Sequence, residues 1–63
     1  MEVYLVEYLR MQKVFKSALS AALYLEKMTG IMHEISVKEI EEFNFFIDKV
    51  DNKVCKITKL AVE

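Results

Sequence analysis

The 63-residue chain has no proline and no tryptophan, and only one glycine, one cysteine and one histidine. Without proline, nothing in the sequence breaks a helix sterically, so long helices are open to it. One glycine rules out the glycine-rich loops that cradle phosphates. One cysteine cannot close an internal disulfide, and with a lone histidine it makes no metal-binding cluster. An excess of one charge is missing too. Nine basic and ten acidic side chains leave a net charge of −1, too small a field to draw in nucleic acid by itself. Uncharged runs stay well short of the ~20 residues that cross a bilayer, and the start, Met1-Glu2-Val3-Tyr4, is acidic where a signal peptide is basic. The expectation is an intracellular protein with no membrane partner, and the single Cys55 fits a reducing compartment.

What the chain does have is hydrophobic residues, at 54% of the sequence. A chain this short makes one domain, residues 1–63, and its core is too small to be comfortable alone. With neither disulfide nor metal to help, a second copy is the expected way to complete it.

The organising stretch is Thr29 to Glu39. Gly30 suits the left-handed position just past a helix C-terminus. Ser36 and Glu39 have the spacing of a capping box that starts a second helix, with Ile35 and Ile40 placed as its hydrophobic staple.

On either side of this turn runs a seam of apolar residues in alternating steps of four and three. In the first arm it is Tyr4, Tyr8, Met11, Phe15, Ala18, Ala22 and Leu25; in the second it is Ile40, Phe43, Ile47, Val50, Val54, Ile57 and Ala61. Such spacing predicts two helices of about 27 residues, each about 40 Å long. Charges in the second arm follow a helix dipole, with Glu39, Glu41 and Glu42 early and Lys53, Lys56 and Lys59 late. Folding the chain between Met32 and His33 sets Tyr8 against Ile57, Met11 against Val54, Phe15 against Val50, Ala18 against Ile47, Ala22 against Phe43 and Leu25 against Ile40. The fold expected is therefore all-α, an antiparallel helical hairpin that dimerises about a two-fold axis into a four-helix bundle.

No catalytic constellation emerges. His33 belongs to the turn and Cys55 to the second arm, roughly 25–30 Å apart along an extended helix. Glu41, Glu42 and Asp48 read as a solvated helix face. No catalytic residue, cofactor or metal ligand is expected. Off the seam lie Val6, Leu9, Tyr24 and Phe45, which are the candidates for meeting a protein partner; Phe45 is a large aromatic among the charged Glu41, Glu42, Asp48 and Lys49. Arg10, Lys13 and Lys16 form a basic strip at helical spacing, the alternative being contact with RNA or DNA phosphate, with no aromatic residue beside them to stack on a base. The expected function is a non-enzymatic homodimeric adaptor between proteins.

In layout, the paired seams of small and large residues resemble the Rop type of protein, a dimeric four-helix bundle that binds paired RNA loops. The stretch MEVYLVEYLRMQKVFKSALSAALYLEKMTG followed by IMHEISVKEIEEFNFFIDKV also resembles the small helical-hairpin proteins of Sulfolobus spindle-shaped viruses. That resemblance implies a viral adaptor working in the host cytoplasm.

Overall fold

The computed structural model describes residues 1–31 and 34–62, with side chains described outside 34–36. It is not all-α. The chain forms strand β1 (Glu2–Tyr8), strand β2 (Met11–Phe15), helix α1 (Ala18–Thr29), helix α2 (Glu34–Phe43), strand β3 (Phe45–Val50) and strand β4 (Lys53–Ala61). The strands make one antiparallel sheet in the order β2-β1-β4-β3. Both hairpins sit on the outside, and the first and last strands pair at the centre, from Glu2 opposite Ala61 to Tyr8 opposite Cys55.

The helical hairpin and the four-helix bundle are thereby overturned, and with them the resemblances to the Rop type and to the Sulfolobus viral hairpins. The physical reason lies in the seam. A step of four is two full periods of a strand, so Tyr4 and Tyr8 share a sheet face, as do Met11 and Phe15. The step of three between Tyr8 and Met11 crosses a two-residue turn that sets those two residues opposite each other, with Tyr4 opposite Phe15. A hairpin thus reproduces the four-three rhythm of a coiled coil.

The β1–β2 turn is Leu9-Arg10, and the β3–β4 turn is Asp51-Asn52. Both residues of the second have positive φ (52° and 65°), as a type I′ turn requires and as Asp and Asn tolerate. Leu9 is also at positive φ, 59°, and has no such excuse: its side chain is bulky and 64% exposed. Leu9→Asn should relieve about 1 kcal/mol, raising the thermal midpoint by about 4–8 °C in a circular dichroism melt. An unchanged or lower midpoint would show that the tip is not strained.

Ser17 starts α1. Its backbone is extended (φ −136°, ψ 150°), and its hydroxyl accepts the Ser20 N–H at 3.1 Å. Gly30 ends the helix at φ 75°, donating its N–H to the Glu26 carbonyl at 2.7 Å. The expected role of Gly30 therefore holds, although the helix it caps has 12 residues. Helix α2 begins at Glu34, so Ser36 lies inside it and is no N-cap. The Ile35 staple rests on a side chain outside the described set, and His33 is outside the described residues altogether. Asn44 closes α2 at φ 68°, with its N–H on the Ile40 carbonyl at 2.9 Å, and its own carbonyl accepts the Lys59 N–H at 2.8 Å. One residue thus ends the helix and starts the sheet.

Both helices lie on the same face of the sheet. Ala18, Ala21, Ala22 and Leu25 form the buried stripe of α1, and small alanines let that helix come close to the strands. The core joins Ala18, Ala21, Leu25 and Ile40 to Val6, Tyr8, Phe46, Val50, Cys55 and Ile57. Of the expected seam, Tyr8, Ala18, Ala22, Leu25, Ile40, Val50 and Ile57 are buried, and Met11 and Phe15 pack half-buried against the core. Phe43, Ile47 and Val54 are exposed at 58%, 52% and 54%, so they are not part of the core. The pairs expected from helix against helix are replaced by strand register: Val6 opposite Ile57, Phe46 opposite Ile57, and Asp48 opposite Cys55.

Candidate interaction surface

Strand pleating sends alternate side chains to opposite faces. With Tyr4, Val6 and Tyr8 turned to the helices, Val3, Leu5 and Glu7 occupy the other face of β1. Register then fixes the rest of that face row by row. Val14, Leu5, Thr58 and Phe45 form one row straight across the four strands. Val3 and Leu60 pair in the row on one side of it. In the row on the other side stand Gln12, Glu7, Lys56 and Ile47. Val54 and Lys49 pair beyond that.

This face is mostly apolar, and among the described residues no helix packs on it. Phe45, Leu60, Val14, Ile47 and Val54 are all exposed. Phe45 and Ile47, with Asn44, Lys56, Thr58 and Lys59, line a shallow groove of 390 Å³. The molecule exposes 4561 Å², above the roughly 4,200 Å² usual for a monomer of its mass. The polar groups of the face are ordered across it: Gln12 Nε2 donates to Glu7 Oε2 at 3.3 Å, and Glu7 is the cross-strand neighbour of Lys56. On the opposite, helix side, at the end of the two central strands, Lys59 Nζ meets Glu2 Oε2 at 2.7 Å, a surface ion pair that contributes little to stability.

The four residues expected to meet a partner do not share one surface. Val6 is fully buried at the centre of the sheet, beneath the helices. Leu9 projects from the β1–β2 turn. Tyr24 is half-buried on α1, its ring tilted 45° to that of Phe15 with centroids 5.0 Å apart, and its hydroxyl donates to Met11 Sδ at 3.0 Å. Phe45 alone lies on the open face. The basic strip is also dispersed. Arg10 is in the turn, Lys16 follows β2, and the two are about 20 Å apart along an extended chain. Lys13 is turned to the helix side, with Nζ 4.9 Å from the Tyr24 ring centre and 5.9 Å from that of Phe15. Two aromatic rings therefore do accompany the strip, and they hold Lys13 by cation–π attraction. Sequence reasoning missed Val3, Leu5, Val14, Thr58 and Leu60 as members of one face. Their signal was composition: β-branched and aromatic residues crowd Val3-Tyr4-Leu5-Val6-Glu7-Tyr8, and Val54, Ile57 and Thr58 stand within Val54 to Leu60.

Cys55 is fully buried, and its thiol donates to the Asp48 carbonyl at 3.5 Å. Burial, with the nearby Asp48 carboxylate, raises its pKa above the ordinary 9.0. The native thiol should resist iodoacetamide at neutral pH and react once urea unfolds the chain. A folded-state pKa above the unfolded value means that the thiol's share of stability is full below pH 9.0 and is lost as pH rises through the folded-state value. The urea midpoint should then fall more above pH 9.0 for the native sequence than for Cys55→Ala. Equal falls would show that the thiol ionises as readily folded as unfolded.

Among the described residues no cluster of three His, Cys, Asp or Glu is placed to hold a metal ion, and no helix is long and apolar enough to cross a membrane. No family model matches the chain, and neither a curated protein nor a solved structure matches it.

Proposed function

We propose that this protein is a non-enzymatic adaptor that works inside the cell by protein–protein contact, through the open face of its sheet. The observation that carries the reading is the unbroken row Val14-Leu5-Thr58-Phe45 with Val3 and Leu60 beside it. An apolar band rimmed by polar side chains is the anatomy of a protein interface. Phe45 supplies the aromatic anchor that such interfaces concentrate their energy on. The proposed contact moves from the outer side of a helix to a sheet face, while the adaptor role expected from the sequence is kept.

A photo-crosslinking phenylalanine analogue placed at position 45 tests this. Irradiation in intact cells should give an adduct that protease degrades and nuclease does not. A nuclease-sensitive adduct would favour nucleic-acid binding instead, and no adduct at all would end the adaptor reading for this face.

A further inference from the structure

We infer that the polypeptide on the open face is a second copy of this chain, packed sheet against sheet about a two-fold axis that runs along the strands between β1 and β4. The inference rests on the adaptor reading above and names the partner of the same surface. What supports it is that the face complements itself.

Rotation about that axis keeps each row at its own level along the strands and exchanges left for right. Every residue then faces the cross-strand counterpart of its own row in the other copy. In the polar row, where Glu7 and Lys56 are register neighbours, Glu7 faces Lys56 of the second copy and Lys56 faces its Glu7. In the apolar row the outer strands bring Val14 opposite Phe45 of the second copy, a small residue against a large one, and Leu5 opposite its Thr58. Val3 faces Leu60. The other axis available in the plane runs across the strands. Through the polar row it sets Glu7 against Glu7 and Lys56 against Lys56, like charges that disfavour the dimer; through the apolar row it sets Glu7 on Val3 and Lys56 on Leu60, burying both charges without a partner. Charge thus selects one of the two arrangements.

Sheet packing permits this arrangement. The selected axis keeps strand directions aligned, as in aligned sandwiches whose sheets cross at about 30° and lie about 10 Å apart. That crossing displaces outer strands more than inner ones, and the two Glu7–Lys56 pairs lie on the inner strands. Four strands span about 19 Å and seven residues about 23 Å. The flat face is therefore roughly 400 Å², and its ridged side chains add accessible area, approaching the ~500 Å² per partner of the smallest specific interfaces. A two-fold interface is isologous, so one self-complementary patch serves both copies.

Charge reversal tests the pairing. Glu7→Lys alone brings two cations together in both pairs of the dimer, and Lys56→Glu alone brings two carboxylates together. Each variant, with circular dichroism showing it folded, should self-associate at least about tenfold more weakly than the native chain. An equimolar mixture of the two restores opposite charges in one pair and leaves each copy's own reversed side chain facing the other's in the second, so that both pairs of the mixed dimer join a cation to a carboxylate. Sedimentation equilibrium of the mixture should recover a dimer containing one of each. A native chain that stays monomeric at roughly 100 μM would overturn the inference, as would variants that dimerise alone as well as the native chain does, or a mixture with no preference for the mixed dimer. The position-45 adduct keeps the two readings apart: capture of a different protein with a monomeric native chain removes the second copy and leaves the adaptor standing.

Discussion

Ile57→Ala should leave most of the chain unfolded at 25 °C. Ile57 is fully buried on the central strand β4, opposite Val6 on one side and Phe46 on the other. Truncating a buried isoleucine costs about 2–5 kcal/mol in lost transfer energy and residual cavity. A core of this size rarely supplies more than about 3–5 kcal/mol in total. The far-UV circular dichroism signal of the folded chain should therefore be largely lost in buffer, and the urea transition should shift to near zero denaturant. A variant with a native-like transition would mean that Ile57 is not at the centre of the core.

The double substitution Phe45→Thr with Ile47→Thr should have the opposite character. Both residues sit on β3 and face solvent from the open side of the sheet, at 46% and 52% exposure. Threonine keeps the β-branched preference for a strand, so folding stability should change by no more than about 1 kcal/mol, read from urea unfolding of the monomer. Association should change strongly, because the largest apolar side chains of the band are gone. Crosslinking from neighbouring positions should fall away, and self-association should weaken at least about tenfold. Loss of folding instead would place these side chains in the core. A helical hairpin would have Ile47 and Ile57 behave alike, since both stand on its seam; the sheet separates them onto opposite faces.

That contrast marks what is legible in the sequence and what is not. The doubling back of the chain near its centre is legible, and so is Gly30 as the left-handed residue that ends a helix. Its φ of 75° lies in the left-handed region, which glycine enters without a Cβ penalty. Periodicity makes the helix more than twice its true length because no glycine or proline marks the hairpin turns. Leu9-Arg10 carries no turn signal, and Leu9 adopts its positive φ against its own preference. Asp51-Asn52 does carry one, placed between runs rich in Val and Ile, but the lysines that follow it mimic a helix end. Ser17 has the look of an outward-facing polar residue, although it stands directly before the alanine-rich stripe of α1 and caps it.

The second seam fails for a related reason. Val50 and Ile57 face the helices, Ile47 and Val54 face away, and Phe43 is exposed at the end of α2. A three-four rhythm run across a helix end and a hairpin mixes two sheet faces while looking like one stripe. The open face is invisible to that reading because it is assembled by register between strands distant in sequence. Leu5 reaches Thr58 only through the pairing of β1 with β4. Phe45 stands out by its size among charges, and it is the one expected partner residue that the fold places on this face.

Methyl NMR with a soluble paramagnetic chelate, across a dilution series, measures directly whether the open face is covered when the protein is at working concentration. Methyl groups of Leu5, Val14, Ile47, Val54 and Leu60 should be shielded in concentrated samples and become exposed on dilution. Those of Leu19 and Leu23 on the outer side of α1 should be exposed throughout, and those of Val6, Leu25 and Ile57 shielded throughout. Open-face methyl groups as accessible as those of Leu19 and Leu23 at every concentration would contradict it.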